Sequence, residues 1–222
     1  MKKIINSEIF KKVAILLNLF LLYICISAYS YVYSVSSNLS DNVFRLHVIA
    51  NSDYEEDQLL KYKVRDNLIN YMNTLSTNCN SKQEVINLSQ KNINKFKTIA
   101  QETISSEGFD YNVNVEIGNF SFPTKTYGDI SFPSGYYDAL KIEIGEASGQ
   151  NWWCMLYPSL CFVDITSGIV PEESKDSLKS SLSEEEYSII SDSTNKCFNF
   201  KFKIIEFFNN TPLITAKSTS HD

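Results

Sequence analysis

The stretch FRLHVIANSDYEEDQLLKYKVRDNL, Phe44–Leu68, decides how this chain folds. Phe44, Leu46, Val48 and Ile49 form a short apolar run with Arg45 and His47 between them, which predicts an inner strand. Ala50 and Asn51 end that run. Ser52 stands three residues before Glu55, the spacing of a capping box, in which two side chains satisfy orphan amides at a helix start. Asp53, Glu55, Glu56 and Asp57 put negative charge where a helix dipole favours it. Leu60, Val64, Leu68, Tyr71 and Leu75 then recur every three or four residues as one buried stripe. The stretch therefore reads as a strand, a tight polar turn and a long helix.

Downstream, Ser81 and Glu84 repeat the capping-box spacing after a polar link, and a helical period runs from Val85 to Glu107. Gly108 sits where a helix stop wants a left-handed residue. Phe109, Tyr111, Val113, Val115 and Ile117 alternate with polar residues as a strand with one wet face, and Leu140, Ile142 and Ile144 form another. Trp152–Val163 is uncharged but broken by Pro158, so it reads as a strand, a turn and a second extended piece. Asp164–Lys175 reads as a linker, and Ser183 with Glu186 caps a short helix over Glu184–Ser191. Phe198–Ile204 alternates as a last strand, with a helix as the competing reading. The sum is an α+β fold. An N-terminal membrane or signal helix precedes a mostly antiparallel sheet with two long helices packed on one face.

Lys2, Lys3, Lys11 and Lys12 precede a run from Val13 to Ser40 that holds no charged residue. A basic flank and an apolar core, Val13–Ile26, form a secretory signal. Counted through Val35, residues 13–35 also reach the ~20 apolar residues of a membrane span. The basic flank keeps the N-terminus inside and puts the rest outside. Ala28 with Ser30, or Ser34 with Ser36, supplies the small residues of a cleavage site. The expected divisions are 1–40 as signal or anchor, 41–210 as an exported domain that folds without residues 1–40, and 211–222 as a polar tail. With four lysines and one glutamate in residues 1–40, the remaining 16 basic and 25 acidic side chains net −9. That balance is the opposite of a nucleic-acid binder's.

Two segments carry a resemblance. HVIANSD followed by EDQ-x-LK-x-KVRD (residues 47–66), and NWWCMLYPSLCFVD (Asn151–Asp164), resemble the two signature motifs of the stage II sporulation protein R family of endospore-forming bacteria. The resemblance spans residues 10 to 208 or so. It implies a protein that is not an enzyme, takes no cofactor, and acts as a signal. By this resemblance it would be made in the forespore and exported into the space between the forespore and mother-cell membranes. There it would activate a membrane-embedded aspartic protease that processes the precursor of sigma factor E.

Read on their own terms, the motif residues leave alternatives open. His47, Asp53 and Asp57 make a poor metal site, because catalytic centres of this kind need more than one nitrogen ligand and the only other histidine is His221 in the tail. His47 with Asp53 or with Cys154 or Cys161 would be the machinery of an exported hydrolase, but no oxyanion loop accompanies it. A non-signalling, envelope-anchored structural domain is a third reading. Asp57, Lys61 and Arg65 fall at i, i+4, i+8, either as a solvated ion-pair ladder worth about 0.3–0.5 kcal/mol per contact or as a docking face. Asp66 lies beside them, and Asn51-Ser52-Asp53 forms the adjoining turn. Trp152 and Trp153 must point to opposite faces of a strand, so one is core and the other is covered or is a binding anchor. Cys154 with Cys161 is the nearest disulfide pairing by spacing, and buried free thiols are the alternative.

Overall fold

The computed structural model describes residues 2–158, 170 and 172–191. A four-stranded sheet has the order β2-β5-β1-β6, built from β1 (Phe44–Ile49), β2 (Val113–Phe122), β5 (Gly135–Ile144) and β6 (Asn151–Tyr157). The β3 (Lys125–Tyr127) and β4 (Ile130–Phe132) strands form a separate hairpin. Strand β1 runs parallel to β5 and antiparallel to β6, and β2 pairs antiparallel with β5 over ten residues, so the sheet is mostly antiparallel. Because β1 is an inner strand, both its faces are buried, as its apolar run predicts.

One face of the sheet, carrying Phe44, Leu46, Val48, Leu140, Ile142 and Cys154, packs under the helices. Helix α2 (Glu55–Ser76) buries Leu60, Val64, Leu68, Ile69 and Met72 there. The helix expected over Val85–Glu107 is two helices, α3 (Lys82–Lys91) and α4 (Ile93–Ser106), so three helices rather than two cover this face. The break falls at Asn92, whose φ of −107° and ψ of 14° leave the helical range. Its amide nitrogen donates from the side chain to the Leu88 carbonyl, and its side-chain oxygen accepts from the Tyr71 hydroxyl of α2. Tertiary bonding to α2 thus redirects a chain whose apolar period runs on unbroken. The Ser81 cap forms as expected, and Gly108 adopts φ +85° at the stop of α4.

The other face buries Arg45, His47, Phe122, Tyr137, Ala139 and Met155. It is covered by the β3–β4 hairpin, α5 (Glu172–Ser181), α6 (Glu184–Ser191) and the last turns of α1 (Lys2–Asp41). Helix α5 takes the end of the stretch read as a linker, whereas α6 has the limits expected and a reciprocal cap between Ser183 and Glu186. The second piece of the Trp152–Val163 run, the Phe198–Ile204 strand, Cys161, Cys197 and the tail lie outside the described residues.

Helix α1 is long and apolar enough to cross a membrane, and its apolar side chains from Ile9 to Ile26 are exposed. Its end belongs to the domain. Val35, Leu39 and Val43 are buried in the second core, Tyr31 donates to the Glu185 carboxylate at 3.0 Å, and Lys82 donates to the Ser40 carbonyl at 2.8 Å. A boundary at residue 40 therefore cuts through the core rather than beside it. Leu39→Ala in the full chain is expected to cost about 2–5 kcal/mol, the range for emptying a fully buried leucine site. Denaturant unfolding in detergent, read by tryptophan fluorescence, measures it.

Candidate partner-binding site

The turn between β1 and α2 is fastened to the loop between β5 and β6. The Asn51 side-chain oxygen accepts from the Glu146 amide at 2.9 Å, and its backbone carbonyl accepts from the Ser148 amide and hydroxyl. The Ala50 carbonyl accepts from the Gly149 amide, and Asp53 accepts from the Gln150 amide at 2.7 Å. Both glycines of this loop are required by the approach. A Cβ on Gly149 would stand 2.1 Å from the Ser52 carbonyl oxygen, and one on Gly145, at φ +57°, would stand 2.2 Å from the Asn51 side-chain oxygen.

Asp57 and Lys61 belong to the same network. Asp57 is 2% exposed and accepts from the Ser52 hydroxyl at 2.5 Å and the Asn51 amide at 2.8 Å. Burial alone would raise its pKa, but the bonds from Ser52 and Asn51 outweigh that and hold the carboxyl below its usual range. Lys61 is 1% exposed and donates to the Gln58 side chain and the Gln150 carbonyl. Burial, followed by the charge of Arg65, lowers its pKa. Two expectations are corrected here. The Ser52–Glu55 capping box does not form. Tyr54, not Ser52, is the residue before α2 and makes no side-chain cap, and the Ser52 hydroxyl, while donating to Asp57, accepts from the Tyr54 amide ahead of the helix. Nor do Asp57, Lys61 and Arg65 make a solvated ion-pair ladder, since the first two are internal and Arg65 pairs with Asp66 at 2.7 Å.

What α2 presents outward is different. Arg65 lies 4.1 Å over the Trp152 ring and 4.9 Å over the Tyr62 ring, and the two rings meet edge-on at 5.6 Å. At the start of the same helix are Tyr54 and Leu59, 74% and 54% exposed, the only large hydrophobics so exposed among the described residues outside α1. Leu59 and Tyr62 are three residues apart and so neighbours on the helix surface. The charges alone point at this helix face. Tyr54 and Leu59 were missed, although Leu59 falls off the buried stripe of its own helix.

Trp153 points to the other face, as alternation requires, and stacks on His47 with centroids 3.7 Å apart. His47 donates from Nε2 to the Asn151 side-chain oxygen at 2.6 Å, while Nδ1 is buried without a partner among the described residues. Burial, the largest effect, outweighs that bond and takes the pKa from 6.5 down to about 4. His47 is therefore a neutral core histidine at neutral pH, apart from Asp53 and Asp57 at the turn. Arg45, which the sequence reading passed over, is wholly buried beside it. Its guanidinium lies 4.1 Å over Phe122 and 4.7 Å over Tyr137 and donates to the Tyr127 hydroxyl at 2.9 Å. Among the described residues its Nε and Nη1 have no partner. Cys154 is disulfide-bonded, and Cys79 is a free thiol. Cys161 and the pairing proposed for it lie outside the described residues. Among the described residues no group of three or more His, Cys, Asp or Glu side chains is placed to hold a metal.

These features define an α+β domain led by a membrane-length helix, with a strand–turn–helix motif locked to a distant loop. Residues 40–167 match the family described as stage II sporulation protein R, and the chain belongs to that family. It is 37% identical over 138 residues to the stage II sporulation protein R of Bacillus subtilis (strain 168), and the aligned region covers 62% of each chain. No solved structure matches.

Two outcomes follow from the geometry. Asp57→Lys and Gly149→Ala are both expected to lower stability by about 2 kcal/mol or more, one by leaving buried donors unsatisfied and the other by forcing the turn apart; chemical denaturation of the purified variants measures this. Stability is also expected to fall by about 2 kcal/mol between pH 6.5 and pH 4. In that window the unfolded chain protonates His47 while the fold keeps it neutral, and partial solvent screening trims the effect. Below it, Asp57 adds a second loss as pH falls through its depressed value. His47→Gln removes the first step, and a histidine NMR titration reads its midpoint near pH 4.

Proposed function

We propose that this protein is an exported signal of endospore formation, made in the forespore. Its domain occupies the space between the two membranes and activates a membrane-embedded mother-cell aspartic protease that cleaves the sigma E precursor. The observation that carries this reading is the family match over residues 40–167, which takes in both signature motifs behind a helix suited to export or anchoring. A disulfide on Cys154 fits an oxidising compartment outside the cytoplasm. A neutral, buried His47 whose Nε2 goes to Asn151, with neither Asp53 nor Asp57 bonded to it, offers no support for the hydrolase reading. The protein works as a ligand, not a catalyst.

The surface proposed to meet the protease is the outward side of α2 with the edge of β6: Tyr54, Leu59, Tyr62, Arg65, Asp66 and Trp152. An arginine held between two aromatic rings, with apolar side chains exposed around it, has the composition of an interface centre. Asn51, Ser52, Asp53, Asp57 and Lys61 hold that surface in place rather than forming it, and His47 and Trp153 lie beneath the opposite face. The test is Leu59→Asp in the full chain. Its melting temperature is expected to stay within the equivalent of about 0.5 kcal/mol of the parent, as for an ordinary surface change. Processing of the sigma precursor in sporulating cells is expected to fall sharply, since losing an anchor of about 2 kcal/mol weakens binding roughly thirtyfold. Normal melting with normal processing removes this surface from consideration.

A further inference from the structure

Helix α1 passes from the membrane-length segment into the folded domain without a break, and this fixes where the two can be separated. The sequence offers two pairs of small residues with the spacing a membrane-bound leader peptidase reads, Ala28 with Ser30 and Ser34 with Ser36. The fold treats them differently. Val35 and Leu39 are buried in the second core with Val43, and Tyr31 is tied to Glu185 of α6. Among the described residues none before Tyr31 belongs to either core, and Tyr29 and Ser30 are exposed. The apolar segment ends at Ile26, so Ala28 and Ser30 stand just beyond it.

Resting on the reading that the domain is exported, the geometry points to hydrolysis of the Ser30–Tyr31 peptide bond by a membrane-bound leader peptidase, which leaves Tyr31 as the first residue of the mature domain. Water adds across that bond. Ser30 departs with the new carboxylate on the membrane segment, Tyr31 keeps the new amine, and no other bond changes. A leader peptidase takes its substrate extended, so the helix must unwind around the cut. From Ser27 to Tyr31 the residues are serine, alanine and tyrosine, mostly weak helix formers, and of these only Tyr31 touches a core, so unwinding them disturbs that one half-buried contact and no fully buried side chain. Cleavage after Ser36 would instead remove Val35 from beside Leu39 and take away the Tyr31–Glu185 bond. The second pair of small residues thus lies within the part of α1 that the finished domain needs.

The test expresses the full chain in a Gram-positive host with its own leader peptidase and reads the product by N-terminal sequencing and intact mass. The expected product begins at Tyr31. Ser30→Phe, which puts a bulky side chain where a small one is read, is expected to leave the full-length chain uncut, and Ser34→Phe is expected to be processed as before. A product beginning at Ser37, or full-length protein digestible by protease added outside the cells, overturns the proposal while leaving export intact. Full-length protein found only inside the cells overturns the export reading on which it rests, and the proposal with it.

Discussion

The approach of two backbones at Asn51 and Gly149 is the constraint on which the rest of this domain depends. Strand β1 must end, turn and launch α2 within five residues, and the turn is too short and polar to hold its shape alone. The β5–β6 loop holds it, with four of its hydrogen-bonding groups spent on Asn51 alone or on the carbonyl before it. Asp57 and Lys61 then close the space beneath, each bonded by neutral partners, with both bonds to Asp57 falling on Oδ2. Buried charges are retained only where hydrogen bonds replace water, and here the replacements come from the turn and the loop together. The direction of α2, and so the placing of Arg65 and Leu59 on the surface, follows from that junction.

The second face of the sheet solves a different problem. Arg45 and His47 sit on an inner strand where apolar side chains would be routine. Among the described residues neither forms an ion pair with a carboxylate. Aromatic rings take that place: Phe122 and Tyr137 for the guanidinium, Trp153 for the imidazole. A desolvated cation over such rings gains about 2 kcal/mol, which offsets part of the cost of leaving water. The abundance of aromatics in this chain is therefore tied to the polar residues it buries, and one motif supplies a tryptophan to each layer. Trp152 serves the helical side and Trp153 the other.

Much of this was legible in the sequence, and the exceptions share a cause. The strand–turn–helix unit, the Gly108 stop, the Ser81 cap and the limits of α6 are fixed by residues within a few positions of one another, so spacing reveals them. Lys61 looked solvated because the Gln150 carbonyl that receives it lies about ninety residues away, and Asp57 because the turn that folds Asn51 and Ser52 over it is itself shaped by that distant loop. The Ser52 cap failed because α2 starts two residues later than the spacing suggests, so the hydroxyl oxygen accepts from the Tyr54 amide before the helix begins. Asn92 interrupts a helix without interrupting its apolar period. The end of α1 was unreadable because membrane lipid and protein core ask for the same residues, and only packing shows where one gives way to the other at Val35.

The placing of β1 also governs the order in which the chain can fold. It is the earliest strand, and both its neighbours come more than ninety residues later. A chain that emerges N-terminus first, whether from a ribosome or a pore, has nothing for β1 to pair with until residues near 140 have followed. Closing so long a loop is slow, and the entropy it costs is regained only when β5 and β6 arrive together. The helices between them have caps and periods of their own and can wait as local structure, while the sheet cannot begin. The domain is thus kept from setting early by its own topology, and it becomes a single body only when nearly all of it has been delivered.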